Sequence, residues 1–273
     1  MKEDEIRGNV RRRYGQIARE GSFGCGCSPG CCGESEKGAP VSTAFGYSAE
    51  DLGAVPEGSD LGLGCGNPVA LASLEEGETV LDLGSGAGFD CFLASQRVGP
   101  SGRVIGVDMT HEMLEKAREN ANKGGYSNVE FRLGEIEHLP VADNSVDLVI
   151  SNCVINLSTD KPQVFREIFR VLRPGGRIMI ADIVLTEPLP PLLKESALMY
   201  TSCVAGALLR EEYLDDIEKA GFSEITIISE SIFPLEHIIS EPALQEMVRD
   251  PGTGETMPAD AIVSIRVRAE KKE

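Results

Sequence analysis

From residue 79 onward, short apolar runs alternate with segments whose apolar residues recur every third or fourth position, the pattern of a sheet with crossover helices. The runs at 79–84 (TVLDLG), 103–109 (RVIGVDM), 129–134 (VEFRLG), 146–152 (VDLVISN) and 177–184 (RIMIADIV) predict five strands, and 224–229 and 261–269 predict two more. Between them FDCFLASQRV (89–98), HEMLEKARENANKGG and QVFREIFRVL predict helices. The second ends at the pair Gly124 and Gly125, which suits a left-handed cap, and the third carries Val164, Phe165, Ile168, Phe169 and Leu172 on one stripe. Upstream, residues 4–20 predict a charged helix with Ile6, Val10, Tyr14 and Ile17 on one face. Past the fifth strand prolines break the alternation. A helix carrying Cys203 is expected next, then the helix EEYLDDIEKAG, and within 231–260 a helix and the loop RDPGTGETMPAD. The expected class is α/β, a mostly parallel seven-stranded sheet with helices on both faces.

Three divisions follow: 1–46, a helix and a Gly-, Ser-, Pro- and Cys-rich mobile segment (21–46); 47–185, the alternating core; and 186–273, a helical insertion and the completion of the sheet. A formal charge of −18 argues against a nucleic-acid partner, because that binding needs lysine and arginine to neutralise phosphates. The run Arg11, Arg12, Arg13 reads as a solvated helix face. No apolar run approaches the roughly 20 residues that span a bilayer, and MKEDEIRGNVRRR has no apolar leader core, so no membrane role and a cytoplasmic location are expected. In a reducing compartment the eight cysteines, at 25, 27, 31, 32, 65, 91, 153 and 203, point to metal, metalloid or redox chemistry rather than to a disulfide framework.

The stretch VLDLGSGAGFD places Gly84, Gly86 and Gly88 between the first strand and a helix, where the backbone can turn sharply and approach a ligand. Asp108, at the end of the second strand, can accept the hydroxyl hydrogens of a ribose. The dinucleotide pattern G-x-G-x-x-G would need glycine at Phe89; the chain has G-x-G-x-G instead. That spacing, with Asp82 before the turn, GEIEHLP (134–140) and VFREIFRVLRPGG, resembles the class I S-adenosylmethionine-dependent methyltransferases, whose fold is Rossmann-like. The resemblance implies S-adenosyl-L-methionine as cofactor, held by Asp82, Gly84, Gly86, Gly88, Asp108, Met109, Glu135, Ile136 and Asn152, with Glu135 toward the adenine amino group.

The acceptor has to be read from other residues. His111, His138 and His237 form no evident acid–base arrangement, whereas thiols stand where an acceptor would sit. Cys153 follows the fourth strand, at the sheet edge where ligands lie in open α/β folds. Cys65, in LGLGCGNP, and Cys203 lie in segments able to cover the pocket. Cys91, beside Phe92, reads as a core residue. Three thiols could converge on one soft centre, and As(III) bound by three sulfurs keeps a lone pair that attacks a sulfonium methyl with no proton to remove.

The stretches LGCGNP, SNCVINLSTDK and CVAGA resemble the arsenite methyltransferase family over roughly residues 45 to 230. That resemblance implies As(III) bound by Cys65, Cys153 and Cys203, and an N-terminal cysteine in disulfide exchange. Cys32 is favoured for that role, with Cys31 close behind, and thioredoxin or glutathione would be the reductant. Three alternatives stay open: zinc at Cys25, Cys27, Cys31 and Cys32; a small organic methyl acceptor such as a quinone precursor; and a thiol-rich metalloid-binding protein without turnover. Asn156 has no assigned role.

Overall fold

Long apolar runs become central strands because helices bury both of their faces. A computed structural model describes residues 2–20, 41–233 and 260–272. Its strands are β1 (Thr79–Leu83), β2 (Arg103–Asp108), β3 (Val129–Leu133), β4 (Val146–Asn152), β5 (Leu172–Leu185), β6 (Ser223–Ile232) and β7 (Ile262–Glu270). They form one sheet in the order β3-β2-β1-β4-β5-β7-β6. Only β7 runs against its neighbours, antiparallel to both β5 and β6, so the expected mostly parallel seven-stranded sheet is observed.

The helices are α1 (Glu3–Glu20), α2 (Val41–Ala44), α3 (Ala49–Ala54), α4 (Pro68–Leu71), α5 (Phe89–Val98), α6 (His111–Gly124), α7 (Lys161–Val171), α8 (Pro191–Lys194), α9 (Ala197–Thr201) and α10 (Arg210–Lys219). One face of the sheet packs Val80, Val104 and Leu148 against Phe92 of α5 and Leu114 and Ala117 of α6. The other packs Leu81, Val149 and Ile178 against Phe165 and Ile168 of α7 and Tyr213 and Ile217 of α10. Val164, Phe165 and Ile168 of the stripe read from QVFREIFRVL are buried on α7, Phe169 is half-buried and Leu172 falls in β5 instead, while Gly125 caps α6 in the left-handed region.

Three local expectations need correction. Cys203 is not on a helix: α9 ends at Thr201, and Cys203 sits beyond it with φ 64°. The segment expected to be loop throughout contains α2, because Phe45 and Tyr47 just beyond it are buried, Phe45 stacked on Phe233 and Tyr47 edge-on to Phe89. Strand β5 begins at Leu172 rather than 177: Leu172 pairs with Val146, and RPGG is accommodated by a shift of register before Arg177 meets Leu148. The helix and loop expected within 231–260 and the cysteines at 25, 27, 31 and 32 lie outside the described residues, except that 231–233 end β6 and its flank and Asp260 precedes β7.

Candidate active site

The glycine-rich turn places main chain, not side chains, along a cleft at the C-terminal ends of β1, β2 and β4. A Cβ on Gly84 (φ 65°) would press on Val154, and one on Gly88 (φ 94°) would meet the Phe92 ring at 2.7 Å. Gly86 (φ 53°) has nothing within 4 Å of that position, so its backbone stands open. Asp108 ties the turn to the next strand: one oxygen accepts from the Gly86 N–H at 3.0 Å, the other from the Thr110 N–H at 2.8 Å. Burial raises its carboxyl above the usual range, and these N–H donors oppose the shift.

The cleft encloses about 1130 Å³, counting its open mouth, and Asp82, Gly84, Gly86, Asp108, Met109, Ile136 and Asn152 line it. Gly88 is set behind the turn as the cap of α5. Glu135 lies outside the main cleft, lining a shallower depression with Met109 and Gly134, and its carboxylate pairs with Arg11. No histidine lines the cleft among the described residues; His111 pairs with Glu115 at 3.2 Å on the exposed side of α6.

One wall of the cleft is a buried polar cluster of Tyr47, Asp90 and Asn152 that hydrophobic patterning did not reveal. Tyr47 donates to Asp90 at 2.6 Å. The Asn152 amide donates toward the Tyr47 oxygen at 2.8 Å, the Gly66 carbonyl at 2.9 Å and Asp90 at 3.1 Å, while its own oxygen accepts the Cys65 N–H at 2.9 Å. Asn152 therefore touches the cleft and the Cys65 loop at once. Burial pushes the Asp90 carboxyl up to about 6, against the bonds from Tyr47 and Asn152. Burial and the Asp90 charge also raise Asp82 well above its usual range. Cys91 is fully buried in the core, as expected, and also donates its S–H to Asp82 at 3.2 Å.

Cys153 lines this cleft, and Cys65 and Cys203 are held beside Cys153, outside the cleft lining. Cys65 is pinned from three sides: its N–H by Asn152, its carbonyl by the Ser264 hydroxyl at 2.8 Å, and its thiol by the Ala181 carbonyl at 3.6 Å. Cys153 donates its N–H to the same Ala181 carbonyl at 2.8 Å. The Cys203 thiol donates to the Cys153 carbonyl at 2.9 Å. All three are unpaired and buried, and Cys153 (φ 60°) and Cys203 hold a backbone region that residues other than glycine rarely adopt, a strain that clusters at functional sites. Burial raises the Cys65 and Cys153 thiols, the latter well above its usual range.

The carboxylate of Asp182 joins two of them: the Cys65 and Cys153 sulfurs and an Asp182 oxygen all lie within 4.8 Å of one another. Asp182 accepts from the Asn156 amide at 2.8 Å, the Ile183 N–H at 2.9 Å and the Tyr213 hydroxyl at 3.0 Å, and burial still pushes its carboxyl up to about 7. An aspartate inside an apolar strand run, ADIV, was the available sign of it. Helix α1 roofs both regions: Arg7 approaches Glu137 at 3.9 Å, Val10 and Tyr14 line the cleft, and the Tyr14 hydroxyl lies 4.0 Å from the Cys203 sulfur.

Sheet order, glycine turn and the carboxylate ending β2 together define a methyltransferase-type Rossmann-like domain. Residues 74–225 match the family model described as "Methyltransferase domain". The arsenite methyltransferase of Halobacterium salinarum is 54% identical over 231 residues, covering 82% of this chain and 59% of that protein. That of Mus musculus is 34% identical over 244 residues, covering 86% and 62%. Among solved structures, CrArsM, an arsenic(III) S-adenosylmethionine methyltransferase from Chlamydomonas reinhardtii, is 32% identical with a TM-score of 0.62, covering 86% of this chain and 74% of that one. The chain belongs to the arsenite methyltransferase family. It spans about 60% of the length of the curated relatives it matches.

Proposed function

We propose that the protein methylates trivalent arsenic, and the convergence of Cys65, Cys153 and Cys203 beside the glycine-turn cleft is the observation that carries this reading. Arsenite is captured as each thiol replaces one hydroxide: three As–S bonds form, three As–O bonds break, and the thiol protons leave with the hydroxides as three waters. The three sulfurs take one side of the arsenic and leave its lone pair facing the cleft. S-adenosyl-L-methionine, the cofactor of the class, supplies an electrophilic methyl on a sulfonium. The donor set fits it: Asp108 offers its carboxylate to ribose hydroxyls, and Gly86 offers open backbone; Met109 and Ile136 give apolar walls.

The chain's contribution is alignment, since a lone pair needs no base to become a nucleophile. Glu135 reaches the adenine edge once Arg11 releases it, and Asp82, Gly84, Gly88 and Asn152 shape the cradle. Methylation leaves arsenic as As(V), which regains two electrons when two thiolates join as a disulfide; Cys32 is our candidate for that exchange. Thioredoxin or glutathione then reduces the disulfide. The described residues contain no helix long and apolar enough to cross a membrane. We place the enzyme in the cytoplasm, where its thiols stay reduced.

The test is incubation with methyl-labelled S-adenosylmethionine, arsenite and a thiol reductant, followed by separation of arsenic species. Labelled methylarsenicals are expected. Arsenite binding without labelled product would overturn the reading in favour of a sequestering protein.

A further inference from the structure

A buried carboxylate beside two thiols is more than trivalent arsenic needs. Three sulfurs complete the pyramidal coordination of As(III), whose fourth direction is filled by a lone pair. A d10 divalent cation has no such lone pair and takes four donors, sulfur and carboxylate oxygen among them. In a tetrahedral site with metal–sulfur bonds of about 2.3 Å and metal–oxygen bonds of about 2.1 Å, the donors stand about 3.5–3.8 Å apart. The Cys65 and Cys153 sulfurs and the Asp182 oxygen already lie within 4.8 Å of one another, so a closure of at most about 1.3 Å reaches that geometry.

The surroundings suit such an ion. Cys203 lies outside that group, its thiol donating to the Cys153 carbonyl, and it becomes a further sulfur donor only by giving up that bond. Asn156, the Ile183 N–H and the Tyr213 hydroxyl hold the Asp182 carboxylate, as donors around a metal-binding carboxylate do. With Cys65, Cys153 and Asp182 the charges balance, two thiolates offsetting a divalent ion and the buried Lys161 ammonium acting on the Asp182 charge, and a Cys203 thiolate adds one negative charge.

We propose that Cys65, Cys153 and Asp182, with Cys203 completing the set, bind a thiophilic divalent cation of the Zn²⁺ or Cd²⁺ kind, and that such an ion blocks the thiols against trivalent arsenic. The blocking rests on the arsenite reading above; the binding does not. Capture of the ion by Cys65 and Cys153 releases two protons to solvent, and a third leaves when Cys203 joins. Asp182 is then the donor that separates the two classes of ligand: required by the divalent ion, spared by arsenic.

The experiment uses the full chain, reduced, with Cys25, Cys27, Cys31 and Cys32 changed to serine so that the N-terminal thiols do not compete. It is titrated with Cd²⁺ alone and followed by calorimetry and by the ultraviolet sulfur-to-cadmium charge-transfer band. One ion per chain is expected. Asp182→Asn weakens that binding by about tenfold or more and leaves arsenite binding intact. Absence of cadmium uptake, or equal uptake by Asp182→Asn, overturns the proposal, as does a parallel loss of cadmium and arsenite in the variant. Should the variant fail to fold, the ¹¹³Cd chemical shift of the parent decides: mixed sulfur–oxygen coordination supports the site, and sulfur-only coordination overturns it. If cadmium binding depends on Asp182 but the cadmium-loaded chain takes up arsenite as well as the cadmium-free chain does, the cation site stands and the blocking falls; if the cadmium-free chain takes up no arsenite, it is the arsenite reading that fails and the cation site stands.

Discussion

The cleft beside the glycine turn and the thiol cluster against it are built on different principles. The floor of the first is main chain of one strand–turn–helix unit, tied by a carboxylate from the next strand, and side chains of other segments wall it. The second is made of side chains from segments far apart in sequence, Cys65, Cys153 and Cys203, held by hydrogen bonds to β4, β5 and β7. The first resembles what any member of the class must have, whereas the second is where we propose that a particular acceptor is chosen. Asn152 joins them, one end of its amide on Asp90 and Tyr47, the other on the Cys65 N–H.

This division can be broken experimentally. The largest effect is expected from Cys153→Ser: arsenite methylation falls at least about 1,000-fold because the arsenic is no longer aligned, while calorimetry finds S-adenosylmethionine binding unchanged. An activity equal to the parent's would remove Cys153 from the site.

Next comes the pH dependence of stability. The Asp90 carboxyl, near 3.9 in an unfolded chain, is pushed up to about 6 by burial. The native state therefore holds a proton that the unfolded state has lost. This contribution is complete below about pH 4 and is lost as pH rises through about 6, a fall of about 3 kcal/mol. Chemical unfolding at a series of pH values should show that decline in the parent and a flatter profile in Asp90→Asn. Identical profiles would mean that Asp90 is charged throughout.

Asn152→Ala tests the joint itself. Leaving the Cys65 N–H and Asp90 without their partner is expected to cost about 2 kcal/mol, read by denaturant midpoints, and to weaken cofactor and arsenite binding together. Weakening of one alone would make Asn152 part of that region only. The mildest change is Asp108→Asn, expected to reduce cofactor affinity about tenfold through the lost charge, with arsenite binding by calorimetry unaltered. Equal loss of both ligands would show that the turn and the thiols are not separable.

Most of the architecture was readable because strand and helix periods are local. Val80, Leu81 and Leu83 announce a strand buried on both faces, and the stripe from Val164 to Ile168 announces α7. The glycine turn was readable for the same reason. Cysteine is scarce enough in loops such as LGLGCGNP for the thiols to stand out in sequence, but their meeting is a tertiary fact. Asp182 and Asn156 were not assigned, because a polar residue in or beside an apolar run carries no sign of its partner until Tyr213 and Ile183 are placed around it. Tyr47 and Asp90 escaped for the same reason. The position of Cys203 was misjudged because the helical pattern of ALMYT continues smoothly past the residue where the backbone leaves it.

The left-handed backbones of Cys153 and Cys203 carry a consequence for anyone who would engineer this protein. Each costs about 1–2 kcal/mol relative to a residue at ease in that conformation. A redesign that ranked substitutions by conformational fit alone would write glycine at both positions, and would deliver a sturdier fold with its sulfurs erased. Thermal hardening of this scaffold has to begin by exempting the two sites that most invite repair.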